Sequence, residues 1–338
     1  MNKKIMLITS TLVVGAAVVL LFDSAKDRKV DPRVGKPMIS PSEVLEVGDI
    51  EISKGEAKLK LVLDEDKVWR VNDLSGFPAD AGKVSAALDE LSKVDVQVLA
   101  AANSNKEAMN EFGFDNATRV TLNAVAGKEL FTASLANSRE KGGQYVSIGG
   151  EYKVYLIGQG LRFIPDAAEW ETKSLLNVPP EQVRRIEFLP SAALKRKPVV
   201  LARDKGEEPI KVDSVPDGQK DAASVRSHES ILSSIVFSSR VDPSNEQFKA
   251  AMANPSTVNI LLFDGRSYIA KVGSTGDGET KKYFIQLTGT KGDATSEGET
   301  KNLNLLNDLM ARFAFEVSGF VGGKFEKSQE DMLEKKDS

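Results

Sequence analysis

Apolar and polar residues follow three different rhythms along this chain. From Ile5 to Phe22 no charge occurs, and Leu12, Val13, Val14, Val18, Val19, Leu20 and Leu21 form an apolar run between Lys3-Lys4 and Asp23. Further on the period is two: Ile50 and Ile52, then Leu59, Leu61 and Leu63, alternate with polar residues. Val68-Trp69-Arg70-Val71 continues the alternation after an Asp64-Glu65-Asp66 turn, the pattern of half-buried antiparallel strands. After Pro78 the period becomes helical, with Asp80 as N-cap and Val84, Leu88, Leu91 and Val94 on one face. Strand rhythm returns in Val120-Thr121-Leu122, a turn at Gly127, Leu130-Phe131, and a hairpin from Tyr145 to Ile157. A last amphipathic helix is expected from Leu303 to Phe320, since Leu306, Leu309, Met310, Phe313, Val317 and Phe320 recur every three or four residues.

At about 1.5 Å rise per residue, the first run would cross most of a hydrocarbon core about 30 Å thick. Residues 1–22 are therefore read as a single transmembrane signal-anchor. A cleaved signal peptide cut after Gly15-Ala16-Ala17 is the alternative, and it would leave Val18 to Phe22 as an apolar terminus. Residues 23–43, with Pro32, Pro37 and Pro41, read as a polar tether. Lys26, Arg28, Lys29, Arg33 and Lys36 outnumber the two lysines ahead of the span, which taken alone favours a cytoplasmic soluble region. A short lysine-led N-terminus before an apolar core points instead to export. The expected location is the bacterial inner membrane, crossed once, with the soluble region in the periplasm or cell exterior.

The grammar of the first half returns after Pro179-Pro180. Laying Trp69-Arg70-Val71-Asn72 over Ile210-Lys211-Val212-Asp213, an offset of 141 (210 − 69), puts Asp80 on Asp221, Val84 on Val225, Leu91 on Leu232 and Val94 on Ile235. An offset of 138 (258 − 120) then puts Val120 on Val258, Leu122 on Ile260, Gly127 on Gly265, Phe131 on Ile269 and Tyr145 on Tyr283. This order of strand, cap, helical face, turn and aromatic is the signature of an internal repeat. The expected class is α+β: two tandem repeats, 44–178 and 179–323, each an antiparallel sheet packed with one main helix. A polar stretch from Gly289 to Thr300 is expected to be a mobile loop, and the charged tail 324–338 to be frayed.

Composition narrows the chemistry. Hydrophobic residues at 41% and charged residues at 28% describe a folded chain, and a net charge of −4 without a basic stripe argues against a nucleic-acid partner. With no cysteine and one histidine, neither thiolate chemistry nor an ordinary zinc site is expected, nor any small-molecule cofactor. His228-Glu229 begins a zinc-protease motif, but Leu232 stands where the second imidazole belongs, and a half-exposed helix histidine is expected. Ser138-Arg139-Glu140-Lys141 has the spacing of a serine-lysine acyl enzyme but adjoins Gly142-Gly143 between strands rather than lying on a helix. Gly273, Gly276 and Gly278 run into a strand rather than a phosphate-cradling helix. Asp64, Glu65 and Asp66 lack the alternation of a calcium loop. Trp69, Tyr145, Tyr152 and Tyr155 on alternating strands are expected to face the core.

The run Val68-Trp69-Arg70-Val71 through Phe77-Pro78-Ala79-Asp80, then Val84, Leu88 and Leu91, Glu111-Phe112-Gly113-Phe114-Asp115 and the Tyr145 to Ile157 hairpin resembles the family called domain of unknown function 4340. It covers 59–160 well and most of 44–320 more loosely. Asn116-Ala117 stands where that family often has proline after the glycine-hydrophobic-aspartate step, and Ala136 where it often has glycine. The resemblance implies an N-terminal anchor, a repeated α+β external region, no catalytic residues, and genes beside ABC transporters of the gliding-motility type. No ATP-binding motif is present, so energy would come from another chain. The expectation is a non-catalytic envelope protein, an accessory or scaffolding subunit whose partners are an ABC permease or ATPase. A free-standing periplasmic binding module for a polymer or envelope protein is the alternative, and a carboxylate-dependent hydrolase the third reading. Leu306, Met310, Phe313 and Val317 are the expected partner surface.

Overall fold

The computed structural model describes residues 31–72, 76–102, 104–138 and 142–336. The apolar run Ile5 to Phe22 lies outside them, as do Arg139, Glu140 and Lys141. No helix among the described residues is long and apolar enough to cross a membrane. The chain divides into two compact α+β units between Glu171 and Thr172, upstream of Pro179-Pro180.

In the first unit, β1 (Val47–Lys54), β2 (Ala57–Leu63), β3 (Trp69–Val71), β4 (Phe77–Pro78), β5 (Val96–Ala101), β6 (Thr118–Ala124), β7 (Glu129–Ser138), β8 (Gln144–Ile148) and β9 (Val154–Ile157) make one antiparallel sheet. Their order is β4-β3-β2-β1-β6-β7-β8-β9-β5. Alternation sends Ile50, Ile52, Leu59, Leu61, Val120 and Leu122 to one face, where all are buried. The helices are α1 (Pro41–Val44), α2 (Ala81–Lys93), α3 (Lys106–Glu111) and α4 (Ala167–Trp170). The Asp80 carboxylate accepts the Lys83 N–H at 3.1 Å and starts α2, whose Val84, Leu88 and Leu91 join that core. Burying each such side chain contributes about 1.5–3 kcal/mol. The expected tether is shorter than its composition suggested. From Asp31 onward the chain is part of the unit, because Met38 and Ile39 are buried and Gly35 and Met38 donate to the carbonyls of Val96 and Val94.

In the second unit, β10 (Ser174–Leu176) pairs with β15 (Ile235–Val236) and β14 (Gln219–Asp221) with β21 (Leu333–Lys335). The main sheet holds β11 (Val183–Leu189), β12 (Val199–Ala202), β13 (Lys211–Val212), β16 (Ser239–Val241), β17 (Ser256–Leu262), β18 (Ser267–Thr275), β19 (Lys282–Thr290) and β20 (Ala314–Val317). Its order is β13-β12-β11-β17-β18-β19-β20-β16. This is the order of the first sheet, strand for strand, with β4 left out. The registers agree as well: Ile50 opposes Leu122 as Ile186 opposes Ile260, Leu61 opposes Val71 as Leu201 opposes Val212, and Tyr155 opposes Leu99 as Phe315 opposes Arg240.

Two positions of the expected overlay slip by one residue. A bulge between β6 and β7 makes Leu122 oppose Phe131, whereas Ile260 opposes Tyr268. Phe131 therefore corresponds to Tyr268, both buried, while Ile269 points outward and is exposed. Likewise Val146 opposes Leu135 as Ile285 opposes Val272, so Tyr145 corresponds to Phe284 rather than Tyr283.

The helices differ most. Where α2 was expected to recur after Asp221, only a 3₁₀ turn forms, Val225–Ser230, followed by Ser234 at φ 54°. Serine and histidine side chains there bond to backbone carbonyls: Ser227 Oγ to Ser224 at 2.6 Å and Ser230 Oγ to Ser227 at 2.9 Å, with His228 Nδ1 3.1 Å from Ser224 O. Such bonds compete with the helical ladder. The remaining helices are α5 (Glu246–Met252), α6 (Glu297–Arg312), α7 (Gly319–Gly323) and α8 (Gln329–Met332). The expected Leu303 to Phe320 helix ends at Arg312, because Phe313 turns extended and β20 follows. The stretch before it is held rather than loose. Arg266, buried, bonds to Asp264 at 2.7 Å, Gln182 at 2.8 Å and Glu299 at 2.6 Å, and Gly289 exchanges hydrogen bonds with the Asn307 amide. The tail is packed too, with Phe325 and Met332 buried and β21 paired.

Candidate functional site

Each sheet has one packed face and one mostly polar face. In the first unit Asp49, Glu51, Lys60, Arg119, Thr121 and Asn123 occupy the outer face of β1, β2 and β6, with Lys60 2.8 Å from Glu51 and 3.5 Å from Asp49, and Asn123 donating to Asp49 at 2.7 Å. The second unit presents Arg185, Glu187, Asn259 and the exposed Ile269 there, and Asn259 donates to Glu187 at 2.9 Å. Beside these patches the outer faces are covered alike. Phe112, after α3, packs edge-on against Tyr145 at 4.9 Å, and Phe248 of α5 packs edge-on against the corresponding Phe284 at 5.9 Å.

The two units also carry a pocket in the same place. In the first, a pocket of about 250 Å³ lies between α2, through Lys83, Ala86, Ala87 and Glu90, and the segment after β9, through Arg162, Ile164, Glu169 and Trp170. In the second, about 410 Å³ lies between the 3₁₀ turn and the segment after β20. Its first wall is Ser224, Ser227, His228 and Ile231, each lying 141 residues after Lys83, Ala86, Ala87 and Glu90 (224 − 83). Its second wall includes Phe320, Lys324, Lys327 and Asp331. In both units the second wall returns to pair with the residues ahead of the first: the Asp80 backbone N–H donates to Trp170 O at 2.7 Å, and the Ala222 N–H to Met332 O at 2.9 Å.

The chemistry of the two pockets has diverged. In the first, Lys83 donates to the Glu169 carbonyl at 2.8 Å, Arg162 lies 3.9 Å from the Glu169 carboxylate, and the buried Trp170 donates to Ile164 O at 2.8 Å. In the second, His228 is buried rather than half-exposed, its ring edge-on to Phe188 at 5.7 Å. Burial pushes its pKa below the usual value; bonds to the Ser224 and Val225 carbonyls and the Asp331 charge oppose this, and Lys327 adds to it. The two shorter of the three Nδ1 contacts are carbonyl oxygens, which can only accept, so Nδ1 carries the proton and Nε2 keeps the lone pair of the neutral ring. Ser227 Oγ lies 3.5 Å from Nδ1 but already donates to Ser224 O, and a donor nitrogen cannot serve as its base.

Other candidates disperse. Leu306, Met310 and Val317 are buried inside the second unit, so three of the four residues of the expected partner surface are core, and Phe313 is half-buried with Arg240 4.7 Å above its ring. Tyr155 is buried, Tyr145 and Trp69 are half-buried, and Tyr152 is exposed. Asp64 is raised by burial, but hydrogen bonds from Val68 and Arg70 outweigh this and hold its carboxyl below the usual range. Among the described residues no three His, Cys, Asp or Glu side chains gather as a metal site needs. Lys324 and Lys327 were missed because α6 intervenes between β19 and β20 and raises the offset from 139 (285 − 146) to 160 (315 − 155), hiding the equivalence of the two tails.

A search of curated proteins and of solved structures found no match. A family model described as Domain of unknown function (DUF4340) matches residues 69–262, from β3 of the first unit through β17 of the second, and the chain belongs to that family.

Proposed function

We propose that this chain is a non-catalytic, membrane-anchored envelope protein, an accessory or scaffolding subunit of an ABC-type transporter. The observation that carries the reading is the repetition itself. Two sheets of one strand order each present a polar outer face and a wall pocket, and among the described residues no three His, Cys, Asp or Glu side chains gather as a metal site needs. A doubled recognition surface suits a scaffold better than a single reaction centre. The run Ile5 to Phe22 supports an anchor that gives the protein lateral partners in the membrane, with the soluble region in the periplasm or cell exterior. The gene neighbourhood implied by the family resemblance supplies the partner class, an ABC permease or ATPase. The test is affinity purification of the full chain from membranes solubilised in non-ionic detergent. Stoichiometric recovery of an ABC permease or ATPase is the expected outcome; a monomer that instead retains an envelope polymer would replace it with a free-standing binding module.

A further inference from the structure

The second unit's pocket holds cations that its counterpart would have neutralised. In the first unit Lys83 and Arg162 are matched by Glu90 and Glu169. In the second, Lys324 and Lys327 are half-buried and Asp331 is the one carboxylate of the lining. That carboxylate is already engaged, accepting from the Ser328 N–H at 2.9 Å and hydroxyl at 2.6 Å, with Arg196 3.5 Å away. Lys327 has no carboxylate partner among the described residues, and Lys324 stands 4.7 Å above the ring of Phe320. Phe320 is 76% exposed, a large apolar surface left at the mouth of the cleft.

Half-buried ammonium groups without a counter-ion are costly, and an entering anion removes that cost. We propose that this pocket binds a small organic monoanion, a carboxylate carried on an apolar body. The carboxylate lies between Lys324 and Lys327, and the apolar body packs on Phe320 and Ile231. Counted over the lining residues alone, two ammoniums against one carboxylate leave a surplus of one positive charge, which a monoanion balances. The serines set the group, because Ser227 and Ser230 spend their hydroxyl protons on Ser224 O and Ser227 O and Ser224 donates to Asp331 O at 3.4 Å, leaving few donors for a phosphate. The space, about 410 Å³, falls in the range of small-molecule sites. This site does not depend on the transporter reading.

The chain has a single histidine, and it lines this pocket, so histidine-labelled full-length protein in non-ionic detergent gives one imidazole signal at the site. N-acetyl-phenylalanine should shift that signal saturably below about 10 mM, and its uncharged amide should bind at least about tenfold more weakly. The double substitution Lys324→Met, Lys327→Met should weaken the acid about tenfold and leave the amide unchanged. Lys327→Gln alone, which keeps the cation over Phe320, should give a smaller loss. No response to the acid, an equal response to acid and amide, or undiminished binding of the acid by the double variant would overturn the proposal.

Discussion

Helix α2 and the Val225–Ser230 turn occupy the same station in two sheets of the same order, yet one is a helix of 13 residues and the other a 3₁₀ turn of six. Their apolar anchors correspond: Val84 and Val225, Leu91 and Leu232, Val94 and Ile235 are all buried. The residues between the anchors differ. Ala86, Ala87 and Leu88 favour the helix in the first unit, whereas Ser227, His228 and Ser230 bond to nearby carbonyls in the second. Anchors thus fix where the segment lies, and the intervening side chains decide its path. The wider pocket of the second unit, with its buried histidine, accompanies that change of path.

If the anchors carry the packing whatever the path between them, Leu91→Ala and Leu232→Ala should cost about the same, roughly 3 kcal/mol each. Trp69 and Trp170 both lie in the first unit, so tryptophan fluorescence during denaturation follows that unit, and the His228 signal follows the second. A cost below about 1 kcal/mol for Leu232→Ala would mean that the turn is not a packed counterpart of α2.

A smaller effect separates Gly273 from its counterpart Ala136. A methyl group on Gly273 would overlap the Ala251 carbonyl of α5, so Gly273→Ala should cost the second unit about 2 kcal/mol. Ala136→Gly should cost the first unit only about 0.5–1 kcal/mol, through lost strand rigidity. Equal costs would show that α5 approaches its sheet no more closely than the cover at Phe112 does.

The smallest effect is one of pH. His228 has a folded pKa below its unfolded value of 6.5, so the unfolded state binds the proton more tightly. Stability of the second unit is retained above about pH 6.5 and falls as pH drops toward the depressed folded value. Denaturant midpoints between pH 5 and 7.5 should show this slope in the second unit, and His228→Gln should abolish it. A slope that survives the substitution would put the titration elsewhere.

The strands were legible in the sequence because alternation is a local signal: Ile50, Ile52, Leu59, Leu61, Val120 and Leu122 all face the expected core. The repeat was legible through Val120 and Val258, whereas Asp221, the expected counterpart of the cap Asp80, ends β14 and caps no helix. The details that failed depended on contacts distant in sequence. A single bulged residue between β6 and β7 moved Phe131 from Ile269 to Tyr268. Leu306, Met310 and Val317 had the spacing of one amphipathic face, but the extended turn at Phe313 divides them between α6 and β20. The second pocket was not legible, since His228 and Lys327 lie far apart in the chain and meet only because the tail folds back through β21 onto β14.

The claim on which the rest depends is that one unit occurs twice, in register. The chain lacks cysteine, so engineered pairs report on that register without background. Thr121 and Thr132 are directly opposed in the first unit, their hydroxyls 3.0 Å apart, and Asn259 opposes Ile269 in the second. Under mild oxidation, Thr121→Cys with Thr132→Cys and Asn259→Cys with Ile269→Cys should both cross-link, while Asn259→Cys with Ala270→Cys, whose side chains leave opposite faces, should not. Cross-linking of the Asn259 and Ala270 pair in preference to Asn259 and Ile269 would contradict the account.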